Sequence, residues 1–97
     1  MLHTVNKPPL RANALQAALR VAAPGDPILL VEDGVLAARA GAVTESVLEA
    51  ALRDHPVYAL APDLKARGIT RLVTGIRPIG YDGFVELTEQ HQVITWT

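Results

Sequence analysis

The continuous apolar segment Ile28-Leu29-Leu30-Val31 constrains the fold of this chain more than any other feature of the sequence. Side chains in a strand point alternately to its two faces, so an uninterrupted apolar run must be covered on both. The run is bounded by Pro24-Gly25-Asp26-Pro27 and by Glu32-Asp33-Gly34, which are both rich in turn-forming residues. We therefore expect a short strand in the middle of a sheet that carries helices on both faces.

Strand-like and helical segments alternate along the whole chain, without a repeat or a low-complexity stretch. Such alternation predicts an α/β domain with a mostly parallel sheet. Pro78 interrupts the fourth strand and places it at or near an edge, because proline cannot donate to a ladder. We expect one small three-layer domain over residues 1–97, with about five strands and helices on both faces. The predicted strands are 2–5, 28–31, 57–60, 76–79 and 93–96, and the predicted helices are 12–22, 35–40, 44–55, 62–68 and 83–91.

The helix boundaries rest on local signals. Thr44, Asp33, Asp63 and Asp82 stand near predicted helix starts, where their side-chain oxygens suit N-caps. Residues 69–73 fit either one more helical turn or a strand, and we favour the helical turn.

Composition excludes several classes of function. The net charge of −1 and the pI of about 6.3 argue against direct nucleic-acid binding, since such domains usually have a pI above about 9. The chain has no cysteine, which excludes disulfides, thiolate metal ligands and persulfide chemistry on its own residues. Residues 1–5 lack the basic and apolar regions of a signal peptide, and no apolar run approaches a membrane-spanning length. We expect a cytoplasmic protein without a membrane segment.

No motif in the sequence predicts catalysis. There is no phosphate-binding G-x-x-x-x-G-K-[ST] loop, and the only serine, Ser46, lies outside a G-x-S-x-G elbow. His3, His55 and His91 show no metal-binding spacing, so ordinary structural roles are the favoured interpretation. We expect no catalytic residue, no cofactor and no metal site.

The acidic turn after the second strand is the strongest candidate for a functional position. Glu32, Asp33 and Gly34 follow the carboxyl end of a predicted buried strand, where open α/β sheets place their ligands. Asp63 follows the next strand in the same way. For Asp33, capping of the following helix is favoured over a functional role.

Several stretches of the sequence match the pattern of a known family, and the most specific of them runs from Val57 to Gly68. The other stretches are Met1-Leu2-His3-Thr4-Val5-Asn6-Lys7 with Pro9, Gly25-Asp26, Leu29-Leu30-Val31-Glu32-Asp33-Gly34-Val35, Tyr81-Asp82-Gly83-Phe84-Val85-Glu86-Leu87-Thr88 and Trp96. Through these stretches the sequence resembles, nearly end to end, the TusB/DsrH family of sulfur-relay subunits.

The resemblance implies a fold of the DsrE/F/H type and two kinds of partner. Members assemble with TusC/DsrF-like and TusD/DsrE-like subunits into a hetero-hexamer. In one branch the complex relays persulfide sulfur toward 2-thiolation of the tRNA wobble uridine, and in the other it serves the oxidation of stored sulfur. The cysteine that carries the sulfur is on a different subunit.

Some members of the family have a cysteine in the first helix, at the position of Ala18 in this sequence. The resemblance therefore implies a non-catalytic subunit that supports tRNA thiolation. Its candidate partner-facing or strand-end positions are Ala18, Glu32, Asp33, Gly34 and Asp63. The alternatives are a subunit of a DsrEFH-type complex, a self-associating interaction protein without the relay partners and, ranked last, a small-molecule binding domain.

Overall fold

A computed structural model describes residues 1–9 and 13–97, so the predicted helix start at residue 12 lies outside the described residues. The strands are β1 (Leu2–Val5), β2 (Ile28–Leu30), β3 (Val57–Leu60), β4 (Arg77–Ile79) and β5 (Val93–Trp96). The helices are α1 (Ala14–Val21), α2 (Glu45–Ala51), α3 (Ala61–Ala66) and α4 (Tyr81–Gln90), and a 3₁₀ segment (Glu32–Ala38) follows β2. None of the helices in this described part is long and apolar enough to cross a membrane.

The five strands form one parallel sheet in the order β4-β3-β2-β1-β5. This confirms the predicted α/β architecture. All three residues of β2 are fully buried, and the strand lies in the middle of the sheet, as its unbroken apolar sequence predicts. The fourth strand has a proline at its centre and lies at an edge of the sheet. Because an edge strand has a neighbour on one side only, the missing N–H of the proline breaks no hydrogen bond inside the sheet.

The main core lies on one face of the sheet. Val5, Leu30 and Ala59 are in register on that face, and they pack against α1, α2, α3 and the 3₁₀ segment. Tyr58, Leu60 and Ile79 alternate to the opposite face, where α4 lies. The molecule therefore has the three layers that the sequence predicts.

The order of the strands creates a reversal in the direction of the chain. From β1 to β4 each strand is added on the same side, whereas α4 carries the chain back across the sheet to β5, beside β1. Right-handed crossovers place α3 on one face and α4 on the other. The chain consequently leaves the carboxyl ends of the neighbouring strands β3 and β4 toward opposite faces, which opens a crevice between them.

Two local predictions differ from the structure. The short helix predicted at 35–40 is a 3₁₀ helix that begins earlier, at Glu32, and ends at Ala38. Residues 69–73 form no helical turn; they are extended, and Leu72 makes a single antiparallel bridge with Arg39. The N–H of Val73 donates to the carbonyl of Ala38 at 2.9 Å, and the N–H of Ala40 donates to the carbonyl of Arg71 at 2.8 Å. The end of the 3₁₀ segment thus takes its backbone partners from residues 69–73, which pulls them out of helical geometry.

Thr44 is the N-cap residue of α2, as predicted, whereas Asp63 and Asp82 are not N-caps, and none of the three side chains bonds the backbone at the start of its helix. The hydroxyl of Thr44 donates instead to the carbonyl of Ala37 at 2.9 Å. Asp33 lies inside the 3₁₀ segment, Asp63 lies inside α3, and α4 follows Gly80 with Asp82 in its first turn. The carboxylates of Asp33 and Asp63 have partners far away in sequence, which compete successfully with the local caps.

Candidate functional site

A cleft of about 280 Å³ opens at the carboxyl ends of β2, β3 and β4 and includes the crevice between β3 and β4. It lies where α3 and α4 leave the sheet toward opposite faces, the position at which open α/β sheets bind ligands. The walls combine apolar and aromatic side chains with two carboxylates. The lining residues are Val31, Glu32, Leu60, Asp63, Tyr81 and Phe84.

Glu32 has an unusual backbone conformation at the edge of this cleft. Its φ is 51°, and no other residue except glycine has a positive φ among the described residues. A side chain in this left-handed region is unfavourable, so the conformation must be held by its surroundings. The backbone N–H of Glu32 donates to Oδ2 of Asp63 at 2.6 Å, 31 residues further along the chain. This charge-assisted bond fixes the turn after β2 against the start of α3.

Arg67 completes the link between the two strand ends. Its Nη2 lies 2.9 Å and its Nε 3.0 Å from Oδ1 of Asp33. Its Nη1 lies 3.9 Å from Oδ1 of Asp63, four residues earlier in the chain, and it donates to the carbonyl of Asp63 at 3.2 Å. Glu32, Asp33 and Asp63 are thus brought together, with one guanidinium holding the two aspartates.

The carboxylate of Glu32 remains available to a ligand. The Glu32 side chain is exposed, and it makes no ion pair with any residue in the described part of the chain. Tyr81 lines the same cleft and is 60% exposed. A cleft that combines a carboxylate with an aromatic side chain suits a cationic or amphipathic group, such as an arginine or lysine side chain.

Gly34 has a packing role in this turn. It is buried, and a Cβ atom placed on it would lie 2.0 Å from the carbonyl oxygen of Val5 and 2.8 Å from the carbonyl carbon. The same oxygen accepts the N–H of Val31 at 3.0 Å. Only glycine lets the turn approach β1 this closely, so Gly34 shapes the strand end and has no side chain to offer a partner.

Ala18 lies away from the cleft and from the surface. It is 0% exposed, within the core between α1 and the sheet. It therefore cannot present its side chain to a partner, and the expectation that it is a partner-facing position is corrected. A residue on the inner face of an amphipathic helix is covered by the sheet, whatever its family counterpart does.

His3, Asp26 and Trp96 form a second polar cluster, which was not predicted from the sequence. Trp96 Nε1–H can only donate, and it lies 3.0 Å from Nδ1 of His3. The proton of the neutral imidazole is therefore on Nε2, which donates to Oδ2 of Asp26 at 3.0 Å. His3 is 1% exposed and stacks on the indole ring, so the cluster ties β1, β5 and the loop before β2 together.

The hydrogen bond from His3 lowers the pKa of Asp26 from 3.8 to about 2. Burial opposes this shift, whereas the Ala23 N–H and the N-terminal ammonium act in the same direction. The ammonium nitrogen of Met1 lies 3.2 Å from Oδ1 of Asp26. Because every polar atom of the His3 ring has a partner inside the protein, we interpret the cluster as structural.

The polar side chains that line the cleft are the carboxylates of Glu32 and Asp63 and the hydroxyl of Tyr81; none of its lining residues is a serine, histidine or cysteine. Among the described residues no group of three or more histidine, aspartate or glutamate side chains is placed to hold a metal ion. Arg67 and Phe84 were not among the predicted site residues. The four-residue spacing of Asp63 and Arg67 signals that pair, but nothing in the spacing links Arg67 to Asp33 or brings Phe84 to the cleft.

Comparison with known proteins places the chain in a family. The family model described as "DsrH like protein" matches residues 7–94, nearly the whole sequence. The chain belongs to the DsrH-like family. Its relatives include two proteins named TusB, each 46% identical over 94 residues: that of Serratia proteamaculans, with 95% of both chains covered, and that of Escherichia coli O1:K1, with 94% covered. Protein TusB of Pectobacterium carotovorum is 41% identical over 99 residues, which cover 99% of this chain and 100% of the relative.

Solved structures agree on the fold of this DsrH-like chain. The crystal structure of the YchN protein from E. coli superposes with a TM-score of 0.84 at 21% identity, covering 98% of this chain and 97% of the other. A protein of unknown function from Methanobacterium thermoautotrophicum gives a TM-score of 0.75 at 17% identity, covering 97% and 95%. These likenesses confirm the predicted fold type.

Proposed function

We propose that this protein is a non-catalytic subunit of a sulfur-relay complex that supports 2-thiolation of the tRNA wobble uridine. One observation carries the proposal: the nearly full-length similarity to proteins named TusB in a chain that has no cysteine. A relay step needs a thiolate to accept and release persulfide sulfur. The sulfur must therefore travel on a partner, and this chain contributes binding and shape.

The burial of Ala18 supports the same conclusion from the structural side. The family cysteine implied for this position would lie in the core of this chain, because Ala18 is fully covered by the sheet. A thiol there would have no route to a partner's persulfide without opening of α1. The lack of a thiol at this position therefore removes no sulfur-transfer step from the proposed complex.

The proposed partners are the two homologous relay subunits, TusC/DsrF-like and TusD/DsrE-like, in a cytoplasmic hetero-hexamer. A domain of this size buries only about 60–65% of the surface of its unfolded chain, so docking on partners adds stability that the isolated domain lacks. The net charge of −1 supports a role in which another subunit binds the tRNA.

The proposal is tested by producing the chain together with the TusC/DsrF-like and TusD/DsrE-like proteins of its own organism. We expect them to purify as one species whose native mass corresponds to two copies of each. In a reconstituted relay with a persulfide donor and tRNA, leaving out this chain should abolish or strongly reduce 2-thiouridine. A chain that elutes alone and leaves thiolation unchanged would refute the proposal.

The same experiment separates the two branches of the family. Relatives named TusB support the tRNA branch over the oxidation of stored sulfur. If the complex forms but its omission leaves 2-thiouridine unaffected, the sulfur-oxidation alternative takes precedence. If instead the isolated chain is a stable homo-oligomer that ignores both homologues, the self-associating alternative takes precedence.

A further inference from the structure

Helix α4 is anomalous among the helices of this fold. It has ten residues, and none of them is buried. By contrast, the shorter α1 buries Ala14, Leu15 and Ala18. Helices of about ten residues are marginal in water unless an apolar face is packed against something. The protein therefore places its longest described helix where the rest of the chain stabilises it least.

The contact of α4 with the sheet is narrow, and the reason lies in its sequence. Gly83 faces the sheet, where a Cβ atom would lie 3.0 Å from Cβ of Ile79. The glycine lets the helix approach β4 closely, but it contributes no side chain to the contact. Phe84 and Leu87, which share this inner side, remain partly exposed. The remaining apolar surface of α4 is turned outward.

The outer side of α4 combines apolar and acidic residues. Tyr81 and Val85, four residues apart and therefore on one side of the helix, are 60% and 50% exposed. Asp82, Glu86 and Glu89 follow a spacing of four and three residues, which lines them up beside the apolar pair. We call these five residues the α4 face.

The charge of this surface selects the kind of partner. Helix α4 has three carboxylates and no lysine or arginine. The carboxylate of Glu32 adds a fourth, across the cleft that the ring of Tyr81 borders. A phosphate backbone or an anionic lipid surface would be repelled here, whereas an apolar protein surface rimmed by arginine and lysine would be attracted.

From these observations we infer that the α4 face is the surface by which this chain docks on a homologous relay subunit, through an apolar patch that the partner surrounds with basic side chains. This inference rests on the proposed function and names the surface that it uses. Tyr81 and Val85 fill the apolar centre, and tyrosine is among the residue types that are enriched as anchors of such contacts. The carboxylates of Asp82, Glu86 and Glu89 lie along one side of this pair and form the acidic part of the rim.

The inference is tested by titrating the purified pair of homologous subunits with this chain in a calorimeter. The variants Val85→Arg and Glu86→Lys/Glu89→Lys place positive charge in the centre and at the rim of the α4 face. We expect each to weaken binding at least about tenfold, because like charges then meet across the contact. The matched control is Val21→Arg, at a helical valine that is 62% exposed on α1, and its affinity should remain within about twofold of wild type.

Folding is checked separately for every variant by circular dichroism and by the melting temperature. If Val85→Arg does not fold, Val85→Ala takes its place, with an expected loss of affinity of about threefold or more. Wild-type binding should also weaken as salt rises from about 0.05 M to about 0.5 M, since the rim is electrostatic.

Each outcome decides between named possibilities. Wild-type binding that all folded α4 variants retain would overturn the inference and leave the proposed function intact. No binding by wild type would overturn both. If Val85→Arg abolishes self-association, the α4 face binds a second copy of this chain. If the α4 variants change tRNA binding, the α4 face binds RNA. Either result overturns the inference.

Discussion

Replacing Gly34 by alanine is the sharpest test of how the turn after β2 is built. The added Cβ would lie 2.0 Å from the carbonyl oxygen of Val5, far inside van der Waals contact, and the obstacle is backbone in the middle of the sheet. The turn or the strand must therefore shift. Overpacking of this kind costs about 1–3 kcal/mol.

The shift also endangers a hydrogen bond. The obstructed oxygen of Val5 accepts the N–H of Val31 at 3.0 Å, and losing a bond of this type costs about 0.5–1.5 kcal/mol. Together the two effects predict that Gly34→Ala lowers the free energy of unfolding by about 1.5–4.5 kcal/mol. For a domain of this size the melting temperature should fall by roughly 6–36 °C.

The assay is urea unfolding followed by circular dichroism, with the melting temperature as a second measurement. Gly80→Ala is the matched control: Gly80 has a φ of −87°, and an added Cβ would meet no atom within 4 Å. We expect this control to change stability by less than about 1 kcal/mol. If Gly34→Ala is less than about 1 kcal/mol below the control, the close approach does not determine the turn.

Three further predictions concern the two polar clusters and the first helix. Asp63→Ala should lower the free energy of unfolding by about 1–3 kcal/mol because it removes the acceptor of the Glu32 N–H, whereas Asp63→Asn should lose less in the same urea titration; equal losses would contradict the role of this bond. Because the folded pKa of Asp26 is lowered to about 2 by the hydrogen bond from His3, its contribution to stability is present above pH 3.8 and is lost as the pH falls toward 2. Asp26→Asn should remove that part of the pH dependence in unfolding curves measured between pH 2 and 6, and an unchanged slope would argue against the assignment. Ala18→Cys should react with a thiol reagent at least about 100-fold more slowly when folded than in urea, since the site is fully buried; equal rates would show that α1 opens readily.

The bounds of several strands could be predicted from the sequence, whereas the contacts at the candidate site could be predicted only in part. Strands β1, β3 and β5 have the predicted bounds, because each is a short segment rich in β-branched or aromatic residues, which favour strands. The candidate site was predicted only as adjacent strand ends. Glu32, Asp33 and Asp63 do meet there, but the guanidinium of Arg67 that holds the two aspartates could not be placed from helical spacing alone.

The amino-acid sequence by itself determined the central position of β2, the edge position of β4 and the impossibility of thiol chemistry. Each of these depends on residue type and local order: an unbroken apolar run, a proline within a strand and the absence of cysteine. Only the tertiary structure decided that Asp63 reaches back to the N–H of Glu32. Three of the side chains predicted as helix caps, those of Asp33, Thr44 and Asp63, found partners elsewhere, because a hydrogen bond between distant segments satisfies two elements at once. Local propensity cannot anticipate such a bond, since its partner exists only after the sheet has brought the strand ends together.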